Sequence, residues 1–292
     1  MATTFYKMHG AGNDFIMLDG ITGSLPSDLA AFSQDICHRR FGVGADQVLV
    51  ALPSESCDFR MDIYNADGGR VEMCGNGIRS FAHYLHLLKL TDKTELTIET
   101  LAGVIKPQII QGHPKTTKDM AWVKVDMGEP ILNGPQIPVV AEGQVIGQEW
   151  QAKEQQELLE KHLGKFKITT VSMGNPHCVI FCDDVSSLPL ATIGPVIEND
   201  AFFPNRVNVE FVQKLDAGLL IQRTWERGSG ETYACGTGAS AVAVAGVLNK
   251  VCDRKVTIRL KGGDLDLFWD QDNNRIFKTG PSAFVFKGEY HD

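Results

Sequence analysis

The sequence predicts an α+β fold built from two copies of one domain. Three observations lead there. Short strand-like segments recur along the whole chain, two small-residue-rich apolar segments interrupt them, and landmarks of the first half return in the second at nearly equal spacing. Length agrees, since 292 residues favour two domains over one. A composition of 43% hydrophobic and 22% charged residues excludes disordered and collagen-like chains.

In chain order, strand character falls on Asp14 to Leu18, Gln47 to Ala51, Phe59 to Tyr64, Leu96 to Glu99 and Val123 to Val125, then on Val179 to Phe181, Val207 to Phe211, Leu219 to Thr224 and Val256 to Leu260. Gly75 to Leu90 and Gly236 to Lys250 are apolar over a dozen residues or more and read as buried helices. A polar stretch from Glu149 to His162 carries a Leu158, Leu159, Leu163 stripe and reads as a surface helix. Between Gly112 and Pro138 the Gly, Pro and Thr density rises, marking an interdomain linker.

The repeat is the informative feature. Cys74-Gly75-Asn76-Gly77 aligns with Cys235-Gly236-Thr237-Gly238. Upstream, Asn65 meets Glu226, Gln47 meets Asn208 and, with one residue of slippage, Asn13 meets Asn175. The intervals between these landmarks are 34, 18 and 9 residues in the first copy and 33, 18 and 9 in the second, which implies duplication of one domain.

Charge and cysteine usage narrow the function. Lys and Arg number 28 against 36 Asp and Glu, a net charge of −8 that argues against binding nucleic acid through its phosphates. No apolar stretch approaches the roughly 20 residues that span a bilayer. The start, MATTFYKMHG, has no basic segment followed by an apolar one, so a chain that is cytosolic or already processed is expected. Seven cysteines without a CxxC pair fit neither a disulfide framework nor a zinc ribbon, so reduced thiols are expected. His83 and His86 lack a third ligand and read as packing or surface residues, so no metal site is expected.

Each copy places Cys-Gly-x-Gly before a helix. There the unpaired N–H groups and the positive end of the helix dipole favour a thiolate, and glycines let backbone amides approach an anion. Two such thiols on opposite sides of one small molecule suit inversion at a carbon bearing an acidic hydrogen, one taking a proton and the other returning one. The helix ends would hold a carboxylate. No P-loop or dinucleotide fingerprint is present and nothing marks a lysine for pyridoxal phosphate, so no cofactor is expected and a closed, dry site must supply the electrostatics. A thiol redox sensor, with Cys74 and Cys235 forming a reversible disulfide, is the alternative of a different class.

The motifs MHGAGNDF (Met8 to Phe15), NADGGRVEMCGNGIR (Asn65 to Arg79), GNPH (Gly174 to His177), RVNVEF (Arg206 to Phe211) and RTWERGSGETYACGTGAS (Arg223 to Ser240) closely resemble the diaminopimelate epimerase family over nearly the whole chain. The resemblance implies a cofactor-independent epimerase interconverting LL- and meso-diaminopimelate in lysine biosynthesis. It also implies two pseudo-symmetric domains, 1–130 plus 281–292 and 131–280, each a mostly antiparallel sheet wrapped around a central helix with the C-terminal segment returning to complete the first, and a homodimer in the cytoplasm, or in the plastid stroma if a transit segment was removed. By motif, Cys74 and Cys235 become the acid/base pair, and Gly75, Asn76, Gly236 and Thr237 offer amides to the reacting carboxylate. Asn13, Gln47, Asn65, Asn175, Asn208, Glu226 and Arg227 read the polar ends of the substrate, with Arg227 facing the distal carboxylate. His177 and Glu226 stand at positions that tune the cysteines. Phe286 stands where the family's dimer contact has a tyrosine, and Glu142 to Lys165 reads as an elaboration remote from the chemistry. Proline and hydroxyproline racemases are the nearest rival, but a compact substrate has no use for Arg227.

Overall fold

The computed structural model describes residues 2–291. The chain divides into two compact units, Met1–Asp126 with Thr279–Asp292, and Met127–Lys278.

The first unit runs β1 (Ala2–Gly10), β2 (Asn13–Asp19), α1 (Leu29–Cys37), β3 (Gln47–Leu52), β4 (Phe59–Asn65), α2 (Gly77–Leu87), β5 (Ile98–Thr100), β6 (Gly103–Ile105), β7 (Gln108–Ile109) and β8 (Met120–Asp126). The second runs β9 (Gln148–Glu149), α3 (Gln156–Leu163), β10 (Lys167–Ser172), β11 (Pro176–Phe181), α4 (Leu190–Glu198), β12 (Asn208–Asp216), β13 (Leu219–Glu226), β14 (Gly230–Thr232), α5 (Gly236–Leu248), β15 (Lys255–Leu260) and β16 (Gly263–Trp269). The last strand, β17 (Ile276–His291), returns to pair antiparallel with β1, Ala2 opposite His291.

The duplication is literal at the level of pairing. In the first unit β1·β2 is antiparallel, β2·β3 parallel, β3·β4 antiparallel, β4·β5 parallel and β5·β6 antiparallel. In the second, β10·β11, β11·β12, β12·β13, β13·β15 and β15·β16 repeat that order. Register repeats as well: Met17 sits opposite Leu49 and Leu49 opposite Ile63, as Val179 sits opposite Glu210 and Glu210 opposite Thr224.

Both sheets are covered on two faces, which is why their middle strands read as continuous apolar runs. In the first unit Ile16, Leu18, Val48 and Val50 join Phe32 and Ile36 of α1 on one side. The other side packs on α2, which touches β1, β2, β3, β7 and β8. In the second unit Cys178, Ile180, Val209 and Phe211 join Ile193 and Ile197 of α4. There α5 is enclosed by β10, β11, β12, β15 and β16. A helix so enclosed has no solvent face, so α5 is buried from Gly238 to Gly246 and built of Gly, Ala, Ser and Val.

Several expectations need correction. The stretch 112–138 does contain the division between the units, at Asp126 and Met127, but it is not a bare linker, because it holds β8 and a 3-10 turn at Gly134–Gln136. The surface helix starts at Gln156 rather than Glu149, since Glu149 pairs with Lys167 in β9·β10. Its predicted stripe buries only Leu159 completely, against the second core. Helices α1 and α4 were not expected; Asp28 caps the former by accepting from the N–H groups of Ala30 and Ala31. Among the described residues no helix is long and apolar enough to cross a membrane.

Candidate functional site

Each unit gathers a polar cluster at the start of its central helix. In the first, α2 begins at Gly77, and the Gly77 N–H donates to Cys74 Sγ at 3.3 Å. Cys74 in turn donates to Asn13 Oδ1 at 3.7 Å, and Asn76 Nδ2 donates to the same oxygen at 3.5 Å. Asn13 is oriented from behind, its Nδ2 donating to Asp46 Oδ2 at 2.6 Å. Asp46 is held by Arg39 at 2.6 Å, and Arg39 also bonds Asp14 at 2.8 Å. Although burial opposes it, hydrogen bonds from Arg39 and Lys7 hold the Asp14 carboxyl below its ordinary range. Gln47 and Asn65, opposite each other on β3 and β4, are joined side chain to side chain at 2.8 Å.

In the second unit Cys235 is itself the N-cap of α5. Its backbone is extended, and its Sγ accepts from the Gly238 N–H at 3.4 Å and meets Thr237 Oγ1 at 3.5 Å. The thiol is 5% exposed, and burial, with Glu226 and Glu210 adding to it, pushes the thiol well up. Asn208, opposite His177 on the parallel pair β11·β12, accepts from the Arg227 N–H at 3.0 Å and donates to the Pro176 carbonyl at 2.9 Å. Glu226 accepts a hydrogen bond from Thr232 Oγ1. The exposed Arg227 bonds the Asn205 carbonyl at 2.9 Å, and His177 Nε2 meets Asn175 Oδ1 at 3.0 Å.

Asn13, Gln47, Asn65, Gly75 and Asn76 thus lie in or beside the cluster around Cys74 in the first unit. Asn175, His177, Asn208, Glu226, Arg227, Gly236 and Thr237 belong with Cys235 in the second unit. Gly174, at φ 94°, turns β10 into β11 in the left-handed region and sets Asn175 at the strand mouth. His83 is buried and bonds Ser282 at 3.1 Å, consistent with packing, and no metal-ligand cluster occurs among the described residues.

Three charged residues escaped sequence reasoning. Asp46, beside Gln47, orients Asn13. Arg79 is completely buried in the first turns of α2 and donates to the Gly75 carbonyl at 3.0 Å; burial pushes its guanidinium down to about 10, which leaves it charged at neutral pH. Glu210 is completely buried on β12 and meets His177 Nδ1 at 2.8 Å. The available signal for the last two was a lone charge inside an apolar run, NVEFV for Glu210 and GIRSF for Arg79.

The comparisons with known proteins fit this geometry. The family model described as diaminopimelate epimerase matches residues 5–133 and 169–285, passing over the elaboration that holds β9 and α3. A diaminopimelate epimerase from Moorella thermoacetica is 47% identical over 286 residues, covering 98% of each chain. One from Methanococcus maripaludis is 44% identical over 288 residues, again covering 98% of each. Among solved structures, a PhzF-family phenazine biosynthesis protein from Bacillus anthracis superposes with a TM-score of 0.70 at 17% identity, covering 100% of both chains. A hydroxyproline epimerase from Agrobacterium vitis reaches 0.59 at 15% identity, covering 99% of this chain and 91% of its own. At such identities these structures share the fold, whereas the sequence relatives extend the match through both Cys-Gly-x-Gly helix starts: the chain belongs to the diaminopimelate epimerase family.

Proposed function

We propose that this chain is an isomerase that interconverts LL- and meso-diaminopimelate by proton transfer between two cysteines, in lysine biosynthesis. One observation carries the reading. In both units a cysteine sulfur accepts the first-turn N–H of an enclosed helix, from Gly77 to Cys74 and from Gly238 to Cys235, so each sulfur sits where backbone dipoles stabilise negative charge.

Inversion needs a base on one face of the α-carbon and an acid on the other. One thiolate takes the α-hydrogen as a proton, leaving the electron pair on carbon beside the carboxylate. The opposite thiol gives its proton to that carbon, and the pair ends with thiol and thiolate exchanged. An α-hydrogen is far less acidic than a thiol of ordinary pKa about 8.5, so the developing charge must be stabilised. The amides of Gly75, Asn76, Gly236 and Thr237 serve that purpose. Asn13, Gln47, Asn65, Asn175, Asn208 and Glu226 recognise the polar ends, and the exposed Arg227 guanidinium takes the distal carboxylate. His177 and Glu226 tune the sulfurs, Glu226 contributing to the upward push on Cys235.

The active form in this reading is a homodimer, supported by the exposed Val285 and Phe286 on β17. A cytoplasmic location is supported by the unbridged buried thiols Cys37, Cys178 and Cys252, which suit a reducing compartment.

The test is to incubate reduced protein with LL-diaminopimelate in heavy water and follow α-deuterium together with stereochemistry. Deuterium enters as the centre inverts, and both Cys74→Ala and Cys235→Ala lose inversion. Undiminished inversion in the two variants would falsify the two-thiol mechanism. Reversible Cys74–Cys235 oxidation without any isotope exchange would favour a redox sensor.

A further inference from the structure

The duplicated sheets differ at one place in a way the fold does not require. On the face turned to its central helix, the first unit carries Phe15 on β2 and Leu49 on β3, and the second carries His177 on β11 and Glu210 on β12. The correspondence is structural as well as numerical. A Cβ on Gly77 would meet Leu49 Cδ1 at 3.2 Å, and a Cβ on Gly238 would meet Glu210 Oε1 at 2.4 Å. Thus an apolar pair suffices in this architecture, yet the second unit buries a histidine and a carboxylate completely, 2.8 Å apart. Glu210 Oε2 is buried with no hydrogen-bond partner among the described residues. Burial of this kind costs stability, so the pair is not there to strengthen the core.

We propose that Glu210 is a positioning residue: through His177 it fixes the side chain of Asn175. Nε2 faces an acceptor, Asn175 Oδ1 at 3.0 Å, and so carries a hydrogen there, while Nδ1 either accepts from a protonated Glu210 or completes an imidazolium paired with its carboxylate; in both forms the ring is locked. The oxygen of Asn175 is then committed and its NH2 is the end offered to a ligand. Asn13 is pinned the other way, by its NH2 to Asp46, with its oxygen turned toward Cys74. The two copies therefore pin opposite ends of the same side chain, and the oxygen of Asn13 is taken up by Cys74 and Asn76 while the NH2 of Asn175 is left for a ligand.

The inference rests on the epimerase reading, in which Asn175 binds substrate, and the experiment separates the two. In the reduced full-length protein, kcat/KM is measured for Glu210→Leu, Asn175→Ala and the double variant. If Glu210 acts through Asn175, each single change costs about tenfold and the double change costs no more than the worse single. Glu210→Gln, whose amide can still pair with His177 Nδ1, stays within about threefold of the parent. Multiplied losses in the double variant, or a Gln variant as impaired as Leu, overturn the proposal. Long-range proton–nitrogen NMR of the unmutated protein gives a readout independent of variant folding. His177, assigned by loss of its signals in His177→Phe, must carry a hydrogen on Nε2, and a bare Nε2 also overturns the proposal. Absence of epimerisation by the parent enzyme defeats the epimerase reading instead, and leaves the protonation result standing.

Discussion

Gly194, inside α4, offers a quantitative test of how the second unit is packed. A Cβ at this position would lie 2.4 Å from Trp225 Cγ and 2.5 Å from Cδ2. The indole cannot swing aside, because its Nε1 donates to Glu198 Oε2 at 2.7 Å, and Glu198 is also tied to Arg206 at 3.1 Å and to the Gly228 N–H at 3.0 Å. Gly194→Ala gains about 1 kcal/mol from helix propensity. Against that, overpacking a well-filled core costs about 1–3 kcal/mol, and a clash with ring atoms next to Cβ belongs at the upper end. The expected balance is about 2 kcal/mol of destabilisation, or roughly 4–8 °C in the Tm of a unit this size. Thermal unfolding followed by circular dichroism reads this directly. Because Trp225 precedes Glu226 and Arg227, the same substitution is expected to raise KM for diaminopimelate. An unchanged or higher Tm would refute the claim that Trp225 is immovable, and with it the account of how α4 supports the Glu226–Arg227 arm.

Other outcomes follow from the same geometry. Asp46→Ala releases Asn13 from a charged hydrogen bond of the kind worth about 1.5–3 kcal/mol, so kcat/KM should fall roughly 10- to 150-fold, and Tm should fall as well because Asp46 also accepts from the Asp14 N–H and pairs with Arg39; equal activity would mean Asn13 needs no external support. Arg227→Met should raise KM for diaminopimelate strongly, and normal turnover would remove Arg227 from the distal carboxylate. For Asp58, hydrogen bonds from Lys93 and Thr97 hold the carboxyl at about 2. A folded-state value below the unfolded one stabilises above the unfolded pKa and is lost as pH falls through the folded one. Asp58→Asn should therefore flatten the stability profile between about pH 4 and pH 2; parallel profiles for variant and parent would contradict the assignment.

The sequence by itself determined the duplication, the class of fold, the two enclosed helices and the two sulfurs at their starts. These are legible because they depend on local or periodic properties: glycine where backbone must approach closely, apolar runs where both faces are covered, and spacing that survives divergence between copies. Helices α1 and α4 were missed because their short segments, LAAFSQDIC and LATIGPVIE, acquire a helical reason only when a sheet face needs covering. The polar start of the stretch from Glu149 looks helical, but Glu149 and Gln148 pair with β10, and pairing with a distant strand leaves no mark on local composition. What tertiary structure alone decided is the environment of each charge. Asp46, Arg79 and Glu210 take their roles from Asn13, from the Gly75 carbonyl and from His177, and Asp46 and Glu210 lie 33 residues from their partners in sequence. The direction in which a buried charge shifts, and the end of an asparagine it leaves exposed, depend on neighbours brought within about 3 Å by folding, because electrostatic interactions strengthen where water is excluded.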